Sequence, residues 1–344
     1  MKLHRALLVV FCLVCLVGVA YVNQATEGAG IKMTTSAQKL YESLEAEQKA
    51  KAAFEFDDKE RTNWHFVPLQ DKDKKPTRKG LPLGEMSGEQ QKMAMDLVKM
   101  GTSADGYAKA TTIMSLELVL RDLEKGGAMV RDPGWYFFSL FGTPSKTGRW
   151  GWRVEGHHLA LNFVIDSGKV ISATPTFFGA NPAVMKRGPK IGERNLPEAE
   201  DRAKELLKSL TDEQLKIAQV DKQFEEIEQA KAGPTLGMPI GLAAEKMNEK
   251  QRSILQKLIE SYASRLPEDI AVMELGEAKE AGIEKVHFAY AGPLEEGKPH
   301  SYRVHGPSFV IEFLNVQADS GGNPANHIHS CWRSMKGDFG LQAK

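Results

Sequence analysis

Two stretches of this chain align without a gap at an offset of 150 residues, and that match limits the fold more than any other feature. "WRVEGHHLALNF" (Trp152–Phe163) lies over "YRVHGPSFVIEF" (Tyr302–Phe313). Two more blocks match in the same order. "GLPLGEMSGEQQKM" from Gly80 pairs with "GMPIGLAAEKMNEKQ" from Gly237, and "WYFFSLFG" pairs with "VHFAYAG". Ordered matches of this kind predict a tandem duplication, with units at about 80–178 and 237–340. In each unit helical patterns come first and an antiparallel β-meander follows. That segregation puts the chain in the α+β class, as one globular unit over 35–344.

Local signals support the order. Ser87 and Gln90 have capping-box spacing, which predicts a helix from about Gly88 to Met100, and a second helix follows over roughly 104–125. Thr211 and Gln214 repeat the spacing. "AQKLYESLEAEQKAKAAFEF" is also helical in period, and "RWGWRVEGHHLALNFVID", "SYRVHGPSFVIEFLNV" and "HIHSCWRS" read as strands.

The two matched strands share an irregularity. Trp150, Trp152 and Val154 are apolar at even positions, but beyond Gly156 the apolar residues are Leu159, Leu161 and Phe163. Strand side chains alternate faces, so this phase change requires an inserted residue: a β-bulge, or a very tight turn such as "GP" in the second copy. The non-core face then carries Arg153, Glu155, His158 and Asn162 in one copy and Arg303, His305, Ser308 and Glu312 in the other. Polar faces from two sheets lying side by side, or facing each other, would form one cleft.

Chemistry concentrates on that face. In "NHIHSCWRSMKGDFG", His327 and His329 point the same way along a strand, a spacing that lets two imidazoles converge on one ion. His158 or His305 would complete the ligand set, and the metal could be zinc, iron, copper or manganese. A metal-bound water would lose its proton near neutrality, with Glu155 or Glu312 as general base. Arg153, Arg303 and Arg333, with Asn162, Asn326 and Asp338, would bind a small anionic substrate. The alternatives stay open: a hydrogen-bonded cleft without metal, or arginines that simply pair with Glu155, Glu312 and Asp338.

Charge is balanced, with 45 basic and 45 acidic residues, and no basic patch points to nucleic acid. The start, "MKLHRALLVVFCLVCLVGVA", has a basic end, an apolar run and small residues at Gly18 and Ala20, the layout of a secretory signal over 1–20. An uncleaved anchor is the alternative, since the apolar run reaches Val22. A linker over 21–34 follows, and nothing later is apolar enough to span a membrane. Cys331 is the single cysteine beyond the leader, so no internal disulfide can form in an exported chain.

Together, "FEFDDKERTNWHFVP", "WGWRVEGHHLALNF", "TPTFFGANP", "YRVHGPSFVIEF" and "NHIHSCWRSMKGDFG" resemble the bacterial exported domain of unknown function family 3500, over roughly residues 35 to 340. Members similarly show an acid-Gly-His-His pattern, matched by Glu155, Gly156, His157 and His158. They also show an Asn-His-x-His segment, matched by Asn326, His327 and His329, followed by Arg333, Asp338, Phe339 and Gly340. The resemblance implies a fold and export, and no reaction. Three readings therefore stand: a metal-dependent hydrolase-like enzyme, a periplasmic or extracellular binding protein for a small anionic or saccharide ligand that also uses Trp150, and a structural envelope protein.

Overall fold

The computed structural model describes residues 28–342. The leader at 1–20 lies outside the described residues. Of the stretch read as linker, the described part is already helical: α1 spans 28–43 and buries Met33 and Thr34 completely. The first half continues with α2 (Ala46–Ala52), β1 (Ala53–Phe54), β2 (Leu81–Pro82), α3 (Gly88–Met100), α4 (Ala104–Leu123), β3 (Phe137–Phe141), β4 (Arg149–Gly156), β5 (Leu159–Asp166), β6 (Lys169–Ser172) and β7 (Thr176–Ala180). The second half has α5 (Pro197–Ser209), α6 (Asp212–Ala218), β8 (Gln219–Val220), β9 (Leu242–Ala243), α7 (Glu249–Ala263), α8 (Glu268–Glu280), β10 (His287–Ala291), β11 (His300–His305), β12 (Phe309–Gln317) and β13 (His327–Ser334).

The helix starts follow from their caps. Ser87 opens α3 and Thr211 opens α6, each in a full capping box with the glutamine three residues on; Asn248 and Gln251 do the same for α7. These glutamines also join helices. Gln90 bonds Gln48 and the Ser43 carbonyl, while Gln251 bonds Gln214 and the Ser209 carbonyl. Both glutamines are buried, and each has partners for donor and acceptor alike, which removes the cost of burying an amide.

All the strands form one sheet, ordered β1-β3-β4-β5-β7-β13-β12-β11-β10-β8, with β2, β6 and β9 pairing alongside. The order is symmetric about the central antiparallel pair β7–β13. At both ends the short outer strand is parallel to its neighbour. The eight helices of the described residues contribute to the core on one face, making an α+β two-layer body. Equivalent aromatic pairs anchor each half there: Trp152 stacks on Phe163 at 4.7 Å and Tyr302 on Phe313 at 4.8 Å. Trp150 is part of this core, with no exposure. No helix of the described residues is long and apolar enough to cross a membrane.

The phase change at Gly156 is a chain reversal instead of a bulge. β4 and β5 are separate antiparallel strands, with Gly156 opposite Leu159, so His157 and His158 form a two-residue turn. In the second half the Gly306 N–H donates to the Phe309 carbonyl, so Pro307 and Ser308 make the corresponding turn between β11 and β12. Cross-strand partners share a face, so Arg153 and Asn162 still lie together, as do Arg303 and Glu312.

Among the described residues, most of that face is covered instead of forming one open cleft. Extended segments cover it: Trp64 and Phe66 from one half and Ile227 from the other pack on Phe177, Leu314 and Cys331 in a second apolar cluster. Arg153, Glu155, Asn162, Glu312, Arg333 and Asp338 are all buried beneath this cover. Buried ions must be paired, and the pairing of the charged residues among these explains their presence.

Candidate metal centre

The β4–β5 turn is held by its backbone. His158 takes φ of 63°, the left-handed region that side chains seldom adopt. Its N–H donates to the Phe66 carbonyl at 2.8 Å, and its carbonyl accepts from the Gly179 N–H at 2.8 Å. Gly179 in turn sits opposite His329 in the β7–β13 register. His158, Gly179 and His329 thus lie in a row, and the glycine leaves the space the imidazoles need. A Cβ at 179 would lie 3.1 Å from the His158 ring and 2.7 Å from the Ile328 carbonyl oxygen.

His327 joins from two residues earlier on β13. Its Nε2 lies 2.8 Å from that of His158 and 3.2 Å from that of His329, and the His158–His329 separation is also 3.2 Å. Nitrogens bonded to one ion at about 2.1 Å are spaced about 3 Å apart, so the triangle fits a single transition metal. A ring nitrogen of His157 also lies within 4.8 Å of ligand atoms on His158 and His327. However, the His157 Nδ1 is engaged with Glu117 and Arg131, and we place this ring behind the triangle, against His158 at 3.8 Å between centroids.

The surroundings keep the His158 and His327 rings neutral. Burial lowers the His158 pKa well below its ordinary value, and His157, His327 and His329 add to the shift. Burial, then His329, lowers His327 to about 4. Neutral imidazoles carry the lone pairs that a metal requires. The His329 Nδ1 meets both carboxylate oxygens of Glu226 at 2.9 Å, leaving Nε2 toward the other rings. Burial acts to raise the Glu226 pKa, but the hydrogen bond and charge of His329, with the Ile227 N–H, together outweigh it and the carboxyl lies below its ordinary value. Phe66 packs edge-on against His329 at 4.9 Å and Asn181 lies beside the His327 Nδ1 at 3.5 Å. The Glu226 side chain is 40% exposed and His327 is half-buried, so solvent reaches the centre from that side.

The chain belongs to the DUF3500 family. Its model, described as a protein of unknown function, matches residues 27–341, which include every residue of the triangle. No curated protein and no solved structure matches.

This DUF3500 chain brings together three of the four histidines singled out in sequence: His158, His327 and His329. His305 stands apart on β11, opposite Val310 and His287, and burial with Arg303 nearby lowers it to about 4. Glu155 does not turn to His158; it accepts from the His65 N–H at 2.7 Å and lies between Arg78 and Arg153. Arg153 bonds the Glu60 carboxylate at 2.6 Å, Arg303 bonds Glu312 at 2.7 Å, and Arg333 bonds Asp338 at 2.7 Å. Asn162 donates to the Pro175 carbonyl, and Asn326 ties Val184 to Asp319. The arginines therefore follow the ion-pair alternative.

Glu226, Gly179 and Glu117 were not identified from sequence. Glu226 sits in the acidic run "QFEEIEQ", which has no period to set one glutamate apart. Glu117 did carry a signal, being an acid on the buried side of α4 between Ile113 and Leu120. Burial raises it to about 8, against the opposing pull of Arg131.

Proposed function

We propose that the protein is a metal-dependent, hydrolase-like enzyme whose centre is His158, His327 and His329. The observation that carries this reading is the triangle of Nε2 atoms, 2.8–3.2 Å on each edge, with a carboxylate behind one corner. A divalent ion there would bring a bound water toward a neutral pKa and supply the nucleophile. Glu155 and Glu312 are assigned to the scaffold, not to base catalysis, since each is locked in an arginine pair under the cover. The anionic substrate class loses Arg153, Arg303 and Arg333 for the same reason. The binding-protein alternative would use those arginines and Trp150, which is wholly buried.

The test is elemental analysis of the purified mature protein beside a His327→Ala/His329→Ala double variant. About one equivalent of transition metal, lost in a variant that keeps its circular dichroism, is the expected result. Absence of metal in both, even after reconstitution with zinc, iron, copper and manganese, overturns the reading.

We also infer that the symmetric strand order and the paired glutamine boxes descend from a duplicated unit, and that the protein is exported. Export predicts a mature N-terminus after Ala20 in a periplasmic or extracellular fraction; a chain retaining residues 1–20 in the membrane would mean an anchor.

A further inference from the structure

Three nitrogens can surround an ion as a T, as a flat triangle or as a pyramid. A T leaves two donors on opposite sides, about 4 Å apart for bonds near 2 Å, and a flat triangle spaces all three at about 3.5 Å. The edges here are 2.8, 3.2 and 3.2 Å, with no long one. An ion about 2.1 Å from each nitrogen must therefore stand off their plane.

We propose that the centre is built for zinc, held in pyramidal fashion by three imidazoles with the remaining position open to an exogenous ligand. This rests on the metal reading above and specifies it. The donor chemistry argues the same way as the shape. All three donors are imidazole nitrogens, while manganese and magnesium favour oxygen, and the facial iron site needs a carboxylate among its ligands. Glu226 is engaged behind His329, and the Cys331 thiol is directed to the Trp332 carbonyl instead of the triangle. Square-planar copper(II) or nickel(II) would set two of the three nitrogens on opposite sides, about 4 Å apart, and no edge here is that long. Zinc has no electronic preference of geometry and accepts the pyramid with its fourth place free. The Glu226–His329 contact is the carboxylate–histidine arrangement that orients zinc-bound imidazole, which makes Glu226 a positioning residue.

The test uses the full mature chain, stripped with a chelator and titrated with zinc, manganese(II), iron(II) and cobalt(II) under anaerobic conditions. One equivalent of zinc should bind and resist displacement by a tenfold excess of manganese or iron. Cobalt(II) should give the intense visible bands of a four-coordinate site, and azide should shift them by entering the open position. Glu226→Gln should weaken zinc binding by roughly 10- to 100-fold and leave the circular dichroism unchanged, while Glu225→Gln should match the parent. Weak six-coordinate cobalt bands, insensitivity to azide, or manganese or iron binding as tight as zinc would overturn the zinc assignment while leaving a metal centre in place. Failure to bind any ion would overturn both, so the two losses are distinguishable.

Discussion

The two ends of the central strand pair share a backbone and differ in chemistry. At one end the Gly179 N–H donates to the His158 carbonyl; at the other the Met335 N–H donates to the Ser308 carbonyl in the same way. The β4–β5 turn puts a histidine at this point, while the β11–β12 turn puts a serine. Across the next strand, His329 faces Leu314, and Ser172 faces Val164. The covering segments diverge as well. Glu226 and Glu60 follow their short strands at the same spacing, yet Glu226 turns to His329 and Glu60 to Arg153. A symmetric scaffold thus carries an asymmetric set of side chains, and only one end gathers ligands.

The largest effect that sharpens this comparison comes from Arg333. It bonds Asp338 where neither side chain is exposed, and its other nitrogens hold the Glu228 and Lys231 carbonyls, anchoring the cover that carries Glu226. Removing one partner of such a pair costs about 3–5 kcal/mol. Arg333→Ala should show that loss in urea titration, along with weaker metal uptake, since Glu226 loses its anchor. Retention of both stability and metal would mean that the pair holds nothing in place.

Acid should separate the halves next. In the second half the half-buried Glu200 pairs with His300 and Lys204. Burial acts to raise Glu200, but the bonds from His300 and Lys204 prevail and lower it to about 2. A depressed carboxyl stabilises fully above its unfolded pKa of about 4.5 and loses that contribution as pH falls toward 2, a change of roughly 3 kcal/mol at most. Amide exchange should therefore show the α5–α7 region loosening first between pH 4.5 and 2. Glu200→Gln should remove that pH dependence. Uniform loosening of both halves would count against the assignment.

Gly179→Val probes the histidine end directly. Its side chain must displace the His158 ring or the Ile328 carbonyl, at about 1–3 kcal/mol, and the variant should bind no metal. Met335→Val, at the matching position, should leave metal binding unchanged. The smallest effect is expected of Ser308→His, which adds an imidazole at the second turn. Metal stoichiometry should stay the same, because Ser172 stands where a partner histidine is needed; a second equivalent would show that the turn alone makes the site.

Much of this could be read along the chain. Gapless matching placed the two meanders, capping boxes placed α3 and α6, and the period of two put His327 and His329 on one face. The same alternation grouped Arg153 with Asn162 and Arg303 with Glu312, although the reversal at His157–His158 was open to reading as a bulge. A bulge and a two-residue turn shift the side-chain phase alike, and only pairing between strands separates them.

Local pattern determined the elements, their order and which side chains share a face, because backbone geometry repeats over two or four residues and leaves its period in the sequence. Tertiary structure decided the rest. It set β7 beside β13, so that Gly179 lets His158 reach His329, and it folded the segment around Glu226 over the sheet. It also paired the arginines with their acids. Those contacts join residues up to 171 positions apart, and no local period records a meeting at that distance.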